Sequence, residues 1–321
     1  MTLTRRVIAL LLPVLALSAG GCFTGVESTP RIKQSDVKEQ KAAGTTAEQL
    51  FLSDIRPRAP HEWQRGKRFL VASDRISLIF GPSSSSTEGL AGTELRFEEF
   101  RPSVSLTGDD AGEVVLSASG GRQYFYRVPG LDGARLDTLS HLDIPFTVDL
   151  DVVERIDAAM RGHSYFIRTP LWYNKSRESV QGLRHIEVRI DSVVAGDENF
   201  VAAVYFTVVN PELASRAVPD ASPRMVFMST GTRKSSTRNF DTQFSFTDPR
   251  KTYPEIKDDV WELITASKVR PGMSRDECRL ALGAPHEVLR TPTYGGMRER
   301  WSYTDGVYLI FDDGYLSRFR L

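Results

Sequence analysis

The apolar run Val7–Ala19 (VIALLLPVLALSA) constrains everything that follows it. At 13 residues it is too short to cross a bilayer, which takes about 20 apolar residues. Arg5 and Arg6 precede it, and the small residues Ala19, Gly20 and Gly21 follow it directly before Cys22. A positive end, a short apolar core and a small-residue cleavage site together read as a secretory signal over 1–21 rather than as part of a fold. Thr4-Arg5-Arg6 also has the look of a twin-arginine start, but the preceding segment is very short and general secretion is the better match. The folded chain is therefore expected to begin after residue 21, in an exported compartment.

Cys22 directly behind the small residues completes a lipobox, with Ala19 at the position usually held by Leu. The expectation is cleavage before Cys22 and acylation of its thiol with palmitate-like chains. Each buried methylene contributes about 0.8 kcal/mol, and stable anchoring takes more than one chain. The two or three chains of a bacterial lipoprotein would then bind the lipid bilayer without a membrane helix. With Cys22 acylated, Cys278 has no partner, so no intramolecular disulfide is expected. The chain holds 41 basic and 41 acidic residues; loss of Arg5 and Arg6 leaves 39 against 41, a net −2. Such a balance supplies no general attraction to nucleic acid.

Residues 22–62 read as a tether with a short helix. Ser35 can cap DVKEQKAA, and Thr46-x-x-Gln49 is a capping-box pattern before Leu50, Phe51 and Leu52. From Gly66 the period changes to two. Phe69 and Val71 alternate, then Ile76, Leu78 and Phe80, then Leu95 and Phe97, Val114 to Leu116 and Tyr124 to Val128, separated by Gly and Ser clusters. Residues 63–130 thus read as a small β domain, barrel or sandwich. Residues 131–248 read as a second, with one helix at Asp149–Met160, where Val152, Val153, Ile156 and Met160 share a face, and strands at Tyr165–Ile167, Ile186–Ile190, Phe200–Val209 and Met225–Met228.

The two regions resemble each other. Gly66-Lys-Arg-Phe69-Leu-Val71 lines up with Gly162-His-Ser-Tyr165-Phe-Ile167, and Leu95-x-Phe97 with Ile186-x-Val188. Two tandem small β units account for the match; coincidence among Gly-bounded strands is the competing account. The opening Gly-Lys-x-aromatic-x-Val is similar to that of SH3-like barrels.

The last segment, 249–321, is the most legible. Pro254 is placed to open a helix whose apolar face is Ile256, Val260, Leu263 and Ile264. Ser274 caps a second helix with Asp276 and Glu277 in its first turn, and Gly283 and Pro285 stop it. Val288–Pro292 and Arg298–Tyr303 follow as strands; Asp305-Gly306 turns into Val307, Leu309 and Phe311, and Asp313-Gly314 into Tyr315–Leu321. This predicts two helices on a three-stranded meander, an ααβββ unit, and an α+β chain overall.

The string Val269-Arg-Pro-Gly272-Met273-Ser274-x-x-Glu277-Cys278-x-x-Ala281-Leu282-Gly283-x-Pro285 resembles the signature of the BamE (SmpA/OmlA) lipoprotein domain, and Glu299-Arg-Trp301-x-Tyr303 with Phe311-Asp-Asp-Gly314 continues it. The opening Cys22-Phe-Thr-Gly-Val-Glu-Ser-Thr-Pro30 resembles lipoproteins of the Bacteroidales. The resemblance implies an ααβββ fold and a link to outer-membrane protein assembly through protein partners. In this chain the domain lies far behind the lipidated Cys, and Cys278 stands where a β-branched aliphatic is usual; as a small hydrophobe it is expected in the core.

No motif for catalysis stands out, and no cofactor or metal is expected. His61, His141, His163, His185 and His286 show no metal spacing; His185 and Glu187 would share one strand face and read as polar side chains turned to solvent. Asp109-Asp110 and Asp312-Asp313 fall in turns, and Trp301, Tyr303, Tyr308 and Tyr315 read as core or sheet face. The basic loop 229–239, with Arg233, Lys234 and Arg238, reads as a solvated linker, with a phosphate- or headgroup-binding loop as the alternative. The expected function is a non-enzymatic envelope scaffold or interaction lipoprotein, anchored in the outer membrane and facing the periplasm, since Phe23 rather than Asp follows Cys22 and only Glu27 is acidic before Pro30. The alternatives are a ligand- or peptide-binding lipoprotein using the tandem β units, and a hydrolase with an unfamiliar site.

Overall fold

Alternating Phe69 and Val71 bury one side of β1 (Arg68–Val71), and this side sets the first core. The computed structural model describes residues 47–321 except 105–109, 132, 219–221, 231–236 and 295. Cys22 and the helix expected at 36–43 lie outside the described residues, as do Asp109, Arg233 and Lys234. Among the described residues there are 16 strands in three antiparallel sheets, and eight α-helices. The first of these helices is α1 (Ala47–Asp54); Thr46, its expected cap, lies outside the described residues.

In the first sheet, β1 pairs with β2 (Glu94–Val104), which continues through β3 (Asp110–Ser117) to β4 (Gln123–Pro129). Leu95, Phe97, Val114, Leu116 and Tyr124 close over Phe69 and Val71. The alternation expected through Ile76, Leu78 and Phe80 is instead a 3-10 turn over Asp74–Leu78, started by the Ser73 hydroxyl accepting from Arg75 N–H, with Ile76 buried and Leu78 exposed. A short helix α2 (Gly133–Thr138) follows. The far edge of the sheet is β5 (Thr147–Asp149), which pairs with β1 through Phe69↔Asp149 and Val71↔Thr147. The sheet therefore takes a strand from beyond residue 130, where the sequence reading ended the first β region. Three residues are too few to show a period, and they follow a stretch that reads as loop.

Asp149 ends β5 and caps α3 (Leu150–Met160), accepting hydrogen bonds from the N–H groups of Asp151 and Val152. Val152, Val153, Ile156 and Met160 are buried at the spacing the sequence predicts. They pack against the second sheet, which comprises β6 (Ser164–Ile167), β7 (Leu171–Tyr173), β8 (Ser179–Gln181), β9 (Ile186–Ala195), β10 (Ala202–Val208), β11 (Arg224–Met228) and β12 (Phe244–Ser245). Its order is β12-β6-β9-β10-β11-β7-β8. Helices α4 (Pro211–Ala217) and α5 (Phe240–Gln243) lie in the connections. Lys67, beside β1, is buried and places its ammonium 2.6 Å from Asp149, so one ion pair joins the first sheet to the helix under the second.

The run β5-β1-β2-β3-β4 in the first sheet and β12-β6-β9-β10-β11 in the second have the same succession. The strand entrances also match. Gly66 N–H donates to Phe97 O at 2.7 Å and Gly162 N–H to Ile190 O at 2.8 Å, while Phe97 N–H donates to Lys67 O and Ile190 N–H to His163 O. Phe97 thus corresponds to Ile190, two residues beyond the Val188 with which the sequence comparison aligned it.

The third sheet carries the C-terminal unit. A short helix α6 (Pro249–Thr252) precedes α7 (Asp258–Thr265). Pro254 does not open α7, which starts four residues later at Asp258 with Lys257 as its N-cap; the first-turn proline rule operates instead at Pro249. In α8 (Arg275–Leu282), Ser274 and Glu277 form a reciprocal capping box. Four strands follow rather than three: β13 (Glu287–Thr293), β14 (Gly296–Ser302), β15 (Tyr308–Asp312) and β16 (Tyr315–Arg320). The unit is ααββββ, because the Asp313-Gly314 turn returns the chain tightly enough for β16 to pair along β15 from Asp312↔Tyr315 to Tyr308↔Arg320. Trp301, Leu309, Phe311 and Leu316 pack under Ile264, Cys278 and Ala281.

Gly283 stops α8 at φ +88°, with no atom within 4 Å of where a Cβ would stand. The cost of Gly283→Ala is thus conformational rather than steric, about 1 kcal/mol or more. The expected outcome is a lower denaturant midpoint of the full chain with unchanged slope; an unchanged midpoint would remove this account of the helix stop.

Candidate functional site

The C-terminal unit is held to the second sheet by two residues that enter β9. Arg184 Nη1 donates to the carbonyls of Leu280, at 3.1 Å, and Ala281, and the Arg184 N–H donates to Thr265 O at 3.0 Å. His185 Nε2 lies 3.0 Å from Leu280 O. These carbonyls end α8, where acceptors lack intrahelical donors and the helix dipole is negative, so a guanidinium there is doubly favourable. A carbonyl only accepts, so His185 carries its proton on Nε2.

His185 is buried, which corrects the expectation that it faces solvent; Glu187 is exposed. Strand alternation would put both on one face, but His185 precedes the strand at φ +57° and its ring turns into the seam, 6.0 Å from Trp261. Burial pushes its pKa down to about 4, with the hydrogen bond to Leu280 opposing and Arg184 and Arg168 adding to the shift. Burial also lowers Arg184, to about 10.

Cys278 is fully buried in the third core, and burial pushes its thiol up to about 12. A protonated, enclosed thiol is packing, not a nucleophile. Next to it, Tyr303 O–H donates to Gly283 O at 3.2 Å. Glu299 is a buried carboxylate on β14, 3.0 Å from Arg275 and 3.3 Å from Arg290, and accepts from Trp301 Nε1 at 3.2 Å. Burial would raise its pKa, but the Trp301 hydrogen bond and the two guanidinium groups outweigh it and hold the carboxyl below its ordinary range.

The opposite face of the same sheet is open. Alternation turns Trp301, Leu309, Phe311 and Leu316 toward the helices and leaves Arg298, Arg300, Arg318 and Arg320 exposed on the other side, around half-buried Tyr308 and Ile310. Arg298 pairs with Asp312 at 2.7 Å, and Arg300 stacks 5.1 Å over Tyr308. Asp313, the other half of that turn pair, accepts from Met297 N–H and ties the β15–β16 turn to the start of β14. Sequence reasoning missed this face because its arginines are spread over strands that come together only in the meander.

Two other features concern the second sheet. Its outer side carries Tyr173, Phe200 and Phe227, with Arg238 4.5 Å over Phe200 and donating to Tyr173 Oη at 2.9 Å. Arg238 is therefore packed on rings rather than free in a linker. A cleft of about 360 Å³ opens where Thr147 and Asp149 of β5 meet Asp197 and Asn199 of the β9–β10 turn. His61, His163 and His286 are exposed and scattered; among the described residues no three of His, Cys, Asp or Glu gather as metal ligands, and no helix is long and apolar enough to cross a membrane.

The seam makes stability depend on pH with a definite sign. The unfolded chain protonates His185 near its ordinary 6.5, whereas the folded chain keeps it neutral down to about 4. Its contribution is complete above 6.5 and drains away as pH falls toward 4, by roughly 3 kcal/mol. In His185→Gln, which keeps a donor for Leu280, the unfolding free energy between pH 6.5 and 4 should lose about one proton of slope. An unchanged slope would place the titration elsewhere. Compared with known proteins, the chain matches no family model, no curated protein and no solved structure.

Proposed function

We propose that this chain is a lipid-anchored cell-envelope interaction protein, held to the outer membrane through acylated Cys22, facing the periplasm and acting by binding partner proteins without catalysis. One observation carries the reading: the C-terminal sheet covers one face with helices and leaves the other, with four arginines around Tyr308 and Ile310, exposed. A sheet face that is part apolar and part cationic has the makings of a protein contact, with rings for burial and guanidinium groups for orientation. The BamE resemblance adds the process, outer-membrane protein assembly. Within this reading the first two sheets are tandem copies of one SH3-like β unit that space the C-terminal BamE-like unit from the anchor, and their common strand succession supports it.

The second reading is a periplasmic ligand- or peptide-binding lipoprotein. It is favoured by the ring cluster of Tyr173, Phe200 and Phe227 under Arg238 and by the cleft beside Asp149.

Cys22→Ser should release the protein from membranes, because no other anchor is assigned. If the variant still sediments with membranes after a high-salt wash, lipidation is not what holds it. A photocrosslinking residue at Ile310 should capture an envelope protein in intact cells, and one at Tyr173 should not. Capture only from Tyr173 would give the second reading the lead.

A further inference from the structure

β13 is a seven-residue sheet edge that no described residue covers, and all seven of its residues are exposed. The other long edges are covered over part of their length. Gly81 N–H donates to Phe125 O and Ser85 N–H to Gln123 O along β4, and the Gly272–Met273 backbone bonds to Leu316 on β16. An open edge with exposed Val288 and Leu289 is a template for another strand.

The register shows what β13 offers. Thr293 pairs with Gly296 across a two-residue link, and such a flanking pair exchanges both backbone hydrogen bonds. Met297 O accepts from Asp313 N–H on the β15 side, which agrees, because it turns the backbone of Arg298 toward Thr291. Glu287, Leu289, Thr291 and Thr293 therefore spend their backbone groups on β14. Val288 and Arg290 point N–H and C=O outward, and Pro292 points only a carbonyl.

We propose that this edge pairs with the β13 of a second copy of the chain, antiparallel, about a two-fold axis at Leu289. This inference goes beyond the function above and rests on the edge alone. In this register Val288 exchanges both hydrogen bonds with Arg290 of the second copy, and the reverse, so every outward N–H on the strand is used. Leu289 meets Leu289 of the second copy on the open face. Glu287 faces Thr291 of the second copy, and directly behind that small residue stands Arg298 of the same copy, in line for the carboxylate. Pro292 falls opposite His286, past the end of the strand, where its missing donor costs nothing.

The neighbouring registers are worse. A shift of two residues one way sets Arg290 against Arg290 and brings Pro292 opposite Val288, whose carbonyl then has no donor. A shift the other way sets Glu287 against Leu289 and takes it out of line with Arg298. The product of the favoured register is one eight-stranded sheet from two four-stranded halves. Edge pairing alone covers less than the about 1,000 Å² that a durable complex needs, so the dimer is weak in dilute solution and favoured where copies are concentrated on one surface.

The test is disulfide trapping of the full-length chain in intact cells under a mild thiol oxidant, read on a non-reducing gel with mass identification. At the axis the two Leu289 Cα atoms stand about 4.5 Å apart, within disulfide reach. The Arg300 pair, one strand in on each side, is separated by three strand spacings, about 14 Å, and is out of reach. Leu289→Cys should give a disulfide-linked homodimer at a rate about tenfold or more above Arg300→Cys, with the parent chain, which retains Cys22 and Cys278, as baseline. Adding Val288→Pro, which deletes an outward donor on an edge that tolerates proline, should abolish it. The proposal is overturned by equal rates for the two cysteines, by no homodimer, by a homodimer indifferent to Val288→Pro, or by Leu289→Cys linking to a different protein.

Discussion

The buried ion pair between Lys67 and Asp149 is the joint on which the two β units depend. The Lys67 ammonium stands 2.6 Å from Asp149 and 3.4 Å from Asp151, and over the rings of Trp63 and Phe69 at 5.5 and 5.2 Å. Asp149 is at the same time the last residue of β5, a pairing partner of Phe69 and the cap of α3. One carboxylate thus closes the first sheet, starts the helix beneath the second and neutralises a buried cation. Removing either member of such a pair leaves an uncompensated charge and costs several kcal/mol, about 3–5 in measured cases. The rings around Lys67 favour the cation further, since an ammonium over an aromatic face is attracted to its quadrupole.

The second joint uses the same logic with a weaker charge. Arg184 and His185 supply donors to the free carbonyls of α8, so the helix end that Gly283 terminates becomes the attachment point of the C-terminal unit. Helix stop and inter-unit contact are a single arrangement. Glu299 holds the other end, where Arg275 at the start of α8 reaches the buried carboxylate on β14. With α8 fixed at both ends on one side, the basic outer face and the β13 edge are left exposed.

Much of this was legible in the residues. The cap of α8, the stop at Gly283, the buried stripe Val152-Val153-Ile156-Met160 and the core position of Cys278 are local facts. Each is decided within a few residues, where backbone hydrogen bonding and side-chain period act alone. For Trp301 the residues leave core and sheet face open, and the packing of the helices decides for the core. The short strands β5, β7, β8 and β12 were not legible, because two or three residues carry no period.

The sequence by itself thus determined a local vocabulary: the start and stop of α8, the buried stripe of α3, which face of each long strand is apolar, and the expectation that the chain is exported and anchored at Cys22. Tertiary structure alone decided three things. It put β5 against β1, a pairing across nearly eighty residues that depends on loop closure and on Lys67 meeting Asp149. It turned His185 from an apparent surface residue into a buried peg, through a left-handed backbone that its sequence neighbours do not reveal. And it gathered Arg298, Arg300, Arg318 and Arg320 on one open face while leaving β13 bare, because which side of a sheet is covered depends on where the helices pack, and helix packing is a property of the whole core rather than of any one strand.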